Sequence, residues 1–108
     1  VLEITITQEQ KSNMVAERKQ LFSLGQVVAT NGASEALEKA GQAPTGFLNR
    51  HVCGDWGNVC KERSETNEQS LKDGGRILSS YRTKLNVMLW IITEADRSRS
   101  CILLPEEY

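Results

Sequence analysis

The sequence predicts an α+β fold: short helices packed on a C-terminal three-stranded antiparallel meander, with room for an extra N-terminal strand. Three observations predict it. Val87 to Thr93 is apolar on both faces, Val87, Leu89 and Ile91 on one and Met88, Trp90 and Ile92 on the other, as in a central strand covered from both sides. Residues 33–52 hold two short helical patterns joined by Gly41-Gln42-Ala43, an αα-hairpin. Leu2, Ile4 and Ile6 alternate with polar residues, as along an edge strand over 1–6.

The elements follow in order. Met14, Val15, Arg18, Leu21 and Phe22 share one helical face, with Glu17 and Lys19 opposite, which predicts a helix over 9–21. Gly25 opens a β-prone run, Gln26 to Thr30, that Asn31-Gly32 breaks. Ala33 to Ala40 is a helix with Ala36, Leu37 and Ala40 on one side, and Gly41 stands where a C-cap glycine belongs. Pro44 suits the first turn of the next helix, in which Phe47, Leu48, His51 and Val52 share a face. Gly54-Asp55-Trp56-Gly57 predicts a tight turn, and Trp56, Val59 and Cys60 a resumed helical turn. Thr66 with Gln69 reads as a capping box for a mostly solvated helix that ends at Gly74-Gly75. Strands are expected at Arg76 to Thr83, Val87 to Thr93 and Cys101 to Leu104. The turns between them are Thr83 to Asn86 and Glu94 to Ser98, and Pro105 stops the last strand.

A chain of 108 residues fits one domain. Thirteen Lys plus Arg against 14 Asp plus Glu argue against a strongly basic nucleic-acid binder and an acidic DNA mimic alike. Val87 to Ile92, the longest apolar stretch, falls far short of the roughly 18 residues of a membrane helix. The first ten residues carry Glu3 and Glu9 and no basic leader region, and three cysteines suit free thiols in a reducing compartment. A cytoplasmic protein is expected, and at this size a homodimer would usefully add buried surface.

Few constellations carry chemistry. His51, Cys53, Asp55 and Cys60 offer four metal-ligand types within ten residues, but no C-x-x-C pair supports them, so His51 reads first as a core or turn histidine and the thiols as small buried hydrophobes. His51 is also the one base available to a thiol nucleophile, and Cys53, two residues on, would point elsewhere on a helix. Glu94, Asp96, Arg97 and Arg99 crowd the last hairpin, where a solvated turn is the simpler reading and an anionic or cationic contact the sharper one. Trp90, in the apolar strand, is expected in the core. Trp56, between glycines, suits either a core plug or a contact residue.

Leu24-Gly25-Gln26-Val27-Val28-Ala29-Thr30, Gly54-Asp55-Trp56-Gly57 and the ending Trp90 to Tyr108, WIITEADRSRSCILLPEEY, resemble a family of small uncharacterised proteins carried on bacterial plasmids, phages and other mobile elements. The similarity runs from about Leu24 to Tyr108. This divides the chain into a variable N-terminal extension, 1–23, and a single α+β domain, 24–108. Members are sometimes labelled a type I restriction subunit. The chain has neither the glycine-rich cofactor turn nor the catalytic loop of a DNA methyltransferase, so the resemblance implies a mobile-element setting and no enzyme class.

The expected function is therefore a protein–protein interaction module without catalytic residues or cofactor. Its contact surface would use Trp56, Asp55, Glu94, Asp96 and Arg97, and neither membrane nor nucleic acid is the expected partner. The alternatives are a ribonuclease toxin like RelE or ParE, with Arg76, Tyr81, Arg82 and Arg99 on its sheet, and a small domain stabilised by zinc on His51, Cys53, Asp55 and Cys60. A helix-turn-helix regulator is the weaker fit, since Arg50 is the one basic residue of its second helix.

Overall fold

Thr30 is where the first strand of the domain turns into a helix. Its N–H still extends the sheet by donating to the Ile102 carbonyl (3.0 Å), while its hydroxyl accepts from the Ala33 N–H (3.1 Å) as an N-cap. The computed structural model describes residues 2–4, as backbone, and 20–108. Within them, β1 is Leu2–Ile4, β2 Gln26–Ala29, β3 Ile77–Arg82, β4 Met88–Thr93 and β5 Arg99–Leu103. The helices are α1, Asn31–Ala40, α2, Pro44–Val52, and α3, Lys61–Asp73, and a 3-10 turn follows at Pro105–Glu107.

The sheet order is β1-β2-β5-β4-β3. β3, β4 and β5 form the expected antiparallel run. The sheet as a whole is mixed, because β2 lies parallel to β5, with Val28 opposite Cys101, and β1 adds antiparallel on the far side of β2. This corrects the expectation of a plain meander. The β2–β5 pairing joins segments about 70 residues apart, as the register Gln26↔Arg99 shows, and no local pattern announces it.

One face of the sheet carries the main core. Val27, Ala29, Tyr81, Leu89, Ile91 and Ile102 meet Ala33, Ala36 and Leu37 of α1 and Phe47, Leu48 and Val52 of α2. Ala36, Leu37, Phe47, Leu48 and Val52 are positions that the sequence pattern singles out, whereas Ala33 joins them unannounced and Ala40 is only half-buried. The αα-hairpin forms as expected, with α1 stopped by Gly41 in the left-handed region (φ 65).

β3 is the last strand, and its outer edge is closed by side chain and loop rather than by another strand. The Asn67 amide of α3 pairs with both backbone groups of Leu78. It donates to the carbonyl (2.7 Å) and accepts from the N–H (3.1 Å). The Trp56–Asn58 segment closes the next residue of that edge, with Ser80 N–H donating to Trp56 O (3.0 Å) and Asn58 N–H to Ser80 O (2.6 Å). Gly57 sits in the middle of that bridge at φ 72, where a Cβ would come within 2.0 Å of the Ser80 carbonyl.

Other expectations are corrected. The helix of the chain's middle begins at Lys61, so Thr66 is interior, and its hydroxyl back-bonds to the Glu62 carbonyl (2.9 Å) instead of capping. No helical turn resumes at Trp56 to Cys60, because that stretch is spent on the β3 edge. Residues 9–19 of the helix expected over 9–21, and residues 5–6 of the edge strand, lie outside the described residues. Gln20 and Leu21 are not helical, and the Leu21 N–H donates to Val52 O (2.7 Å). Among the described residues no helix is long and apolar enough to cross a membrane.

Asn67→Ala is expected to leave both backbone groups of Leu78 without their partner and to cost about 2 kcal/mol in urea denaturation. The Leu78 amide should lose its exchange protection, whereas Thr66→Ala, one residue away, should change stability by no more than about 0.5 kcal/mol.

Candidate interaction surface

His51 faces inward from α2 and is fully buried. Its Nδ1 lies 2.5 Å from Ser79 Oγ and its Nε2 2.9 Å from Thr93 Oγ1. The contacts continue from Thr93 to Ser100 (2.7 Å) and from Ser100 to the Leu24 carbonyl (2.8 Å). A carbonyl can only accept, so the line has one direction. Ser100 donates to Leu24, Thr93 donates to Ser100, His51 donates from Nε2 to Thr93, and Ser79 donates to Nδ1. The line thus fixes a proton on Nε2, and burial leaves Nδ1 unprotonated to accept from Ser79. Burial pushes the pKa of His51 down to about 3, and the nearby Arg97 charge acts in the same direction.

Phe22 and Trp56 close over the His51 ring, each edge to face, with centroids 5.1 and 6.0 Å away. Trp56 is 5% exposed and donates from Nε1 to Glu68 (2.9 Å). Trp90 is only half-buried, on the opposite face of the sheet, edge-on to Tyr108 at 5.7 Å. The expected burial of Trp90 is therefore corrected. An apolar strand shows which residues share a face but not which face lies under the helices.

The remaining sequence candidates are dispersed. Asp55 grips Arg50 with both oxygens, at 2.8 and 3.3 Å, and accepts the Gly57 N–H (3.2 Å). The bond to Asp55 raises the pKa of Arg50, whose guanidinium also stacks 4.6 Å over the Tyr81 ring. The Tyr81 hydroxyl donates to Asp55 O (2.6 Å), and burial raises its pKa. Cys53 is half-buried beside Asn49, and Cys60 is exposed just ahead of α3. With both His51 nitrogens engaged by hydroxyls, these residues do not converge, and among the described residues no group of three or more His, Cys, Asp or Glu could hold a metal.

In the β4–β5 hairpin, Glu94 pairs with Arg76 (3.2 Å), and Asp96 accepts the Ser98 N–H (3.0 Å); the Ser98 hydroxyl first, and then that N–H, lower its pKa. Arg97 is turned inward at φ 62. It donates to the carbonyls of Ser70 (3.0 Å), Gly75 (2.6 Å), Glu94 (3.1 Å) and Ala95 (3.2 Å), and lies over the Phe22 ring. It is a clamp between this hairpin and the end of α3, with little left for a partner.

A site that sequence reasoning missed lies at the other end of the sheet. The α1–α2 connection and the β3–β4 turn are tied by the Lys84 N–H donating to Gln42 Oε1 (2.8 Å). Between them opens a recess of about 510 Å³ lined by Gln42, Ala43, Thr45, Phe47, Arg50 and Lys84. Two cations border it, and Leu85, beside Lys84, is 58% exposed. Arg50 and Lys84 are 34 residues apart, so only the fold brings them together. Comparison with protein-family models, curated proteins and solved structures finds no match to the chain.

Two predictions follow from the buried line. His51 has a folded pKa far below its unfolded value of about 6.5, so the stability it contributes is complete above that value and lost as pH falls toward 3. Urea denaturation at pH 6.5 and pH 5 should differ by about 2 kcal/mol, at about 1.4 kcal/mol per pH unit. A flat profile over that interval would show that the ring is accessible to protons in the folded state. The second concerns the indoles. Trp56→Ala should cost about 3–5 kcal/mol and Trp90→Ala about 1 kcal/mol in thermal unfolding.

Proposed function

We propose that the chain is a non-catalytic protein-binding module, acting in the cytoplasm as an accessory of a bacterial mobile element, and that it receives an acidic segment of a partner protein in the recess between α1–α2 and the β3–β4 turn. The observation that carries this reading is the placing of Arg50 and Lys84 at one open concavity with the apolar Phe47 in its wall. Charge there steers an acidic segment, and apolar contact retains it.

Two further features support it. Three polar side chains that could otherwise do chemistry or bind are engaged within the fold: His51 by hydroxyls, Tyr81 by the Asp55 carbonyl and Arg97 by backbone carbonyls. The resemblance of the 24–108 segment to small mobile-element proteins suits an accessory that binds a host or element-encoded protein. The ribonuclease reading loses support from the sheet, since Tyr81 is 1% exposed on the inner face while Arg82 projects from the outer one.

Lys84→Glu reverses one charge at the recess without touching a core contact. Wild-type protein immobilised in host lysate should retain one stoichiometric protein after nuclease treatment, and Lys84→Glu should retain at least tenfold less of it. Equal retention by both would overturn the assignment to the recess. Retention of ribosomes, or loss of the partner with nuclease, would overturn the protein-binding reading itself.

A further inference from the structure

Arg50 borders the recess from the last turn of α2, one helical turn along from Gly46 and Phe47 on the same face. Its guanidinium is held on two sides. Asp55 grips one edge, through Nε (2.8 Å) and Nη2 (3.3 Å), and the Tyr81 ring lies under it, 4.6 Å from Cζ to centroid. Asp55 is itself fixed at three points. Its N–H donates to the Arg50 carbonyl (2.9 Å), its Oδ1 accepts the Gly57 N–H (3.2 Å), and its carbonyl accepts the Tyr81 hydroxyl (2.6 Å). Tyr81 is buried in the core, so the seat under Arg50 is rigid. Arg50 Nη1, by contrast, bonds to no described residue, and the side chain is 42% exposed. A planar guanidinium gripped along its Nε–Nη2 edge keeps Nη1 and the outer hydrogen of Nη2 as a second fork.

We propose that Asp55 is a positioning residue of the recess, holding Arg50 so that its free fork receives a side-chain carboxylate of the acidic segment through two parallel hydrogen bonds. This rests on the binding role of the recess and names the contact that makes it selective. A loose arginine loses rotamer freedom when it binds. One already gripped by Asp55 and seated on Tyr81 has lost it in folding, so more of each hydrogen bond is left as affinity. The charge of Asp55 acts the opposite way. Its carboxylate offsets that of Arg50 and leaves Lys84 as the cation of the recess wall with no ion pair among the described residues. Coulomb attraction alone therefore predicts that neutralising Asp55 tightens an acidic ligand, whereas positioning predicts that it loosens one. The turn whose Trp56 carbonyl closes the β3 edge thus sets the arginine of the recess one residue earlier.

The probe is the blocked peptide acetyl-Leu-Glu-Glu-Leu-amide, titrated into the full chain with the Arg50 Nε–H and Lys84 amide resonances as readouts. It should move both in the wild type. Asp55→Asn should weaken the peptide about tenfold although it makes the recess more positive, and Arg50→Lys should do the same at unchanged charge. Arg50→Lys leaves the Asp55 turn in place, so it decides the matter alone if Asp55→Asn does not fold. Binding as tight as wild type, or tighter, by either folded variant overturns the positioning role. If Lys84→Glu still weakens the peptide in that case, the recess keeps its binding role and only the role of Asp55 is lost. No response of either resonance in the wild type overturns the recess reading and the proposal with it.

Discussion

The line of hydrogen bonds from Ser79 through His51, Thr93 and Ser100 to the Leu24 carbonyl is the constraint on which the rest depends. It crosses β3, β4 and β5, reaches the residue that leads into β2, and is anchored in α2. A buried polar group without a partner costs as much as several apolar contacts gain, so the helix and the strands share one satisfiable register. Sliding any strand by one residue would put its hydroxyl on the other face and strand the imidazole. Among the described residues every buried side-chain nitrogen and oxygen has a partner. The same line accounts for both nitrogens of the chain's one histidine. Its single proton and its single lone pair are both committed, and the aromatic rings of Phe22 and Trp56 shut the ring away from water.

Polar contacts also hold what the apolar core does not reach. α3 has almost no apolar face, and Asn67 and Ser70 are its buried residues. It is kept in place by the Asn67 amide on the β3 edge, the Trp56–Glu68 bond and the Arg97 guanidinium on the Ser70 carbonyl. Each does a second task. Asn67 satisfies a sheet edge that would otherwise pair with another chain, Glu68 satisfies a buried indole, and Arg97 satisfies carbonyls at the end of a helix. A solvated helix can thus be a fixed part of a small domain through a few bonds to groups that need partners anyway.

Much of this was legible in the sequence where the signal is local. The αα-hairpin follows from Gly41, Pro44 and the period of its apolar residues, and His51 belongs to the core face of its helix by spacing with Phe47, Leu48 and Val52. The three antiparallel strands follow from their turns and apolar runs. The illegible part is what distance in the chain decides. The parallel partner of β2, the inner face of β4 and the role of Arg97 depend on segments 20 to 70 residues away, as the partners Ser70, Gly75, Arg99 and Cys101 show. Thr66 and Gln69 match a capping pattern, yet the same residues serve in mid-helix, where a threonine hydroxyl has the carbonyl four residues back to bond. Arg97 in a polar hairpin reads as solvated because the carbonyls it bridges are invisible in sequence. Gly32 is the opposite case. A glycine in the first turn of a helix is visible in the sequence, but that it faces a carboxylate 75 residues on is not.

The proposed contact lies at the surface, and α1 borders it. Its C-terminal end feeds the connection that borders the recess, where Lys84 is exposed and Arg50, paired with Asp55, lines the wall. Its N-terminal end is filled by Glu107, with Trp90 and Tyr108 alongside. Each end suits an acidic group, for different reasons: side-chain cations at one, and the helix dipole at the other, where Thr30 and Glu107 already serve. The difference is in what already occupies them. The recess is open, whereas the N-terminal end is closed by the chain itself. With the histidine, one tyrosine and the clamp arginine engaged by the fold, the open recess at the C-terminal end of α1 is where the proposed contact has the charge and the shape to be selective.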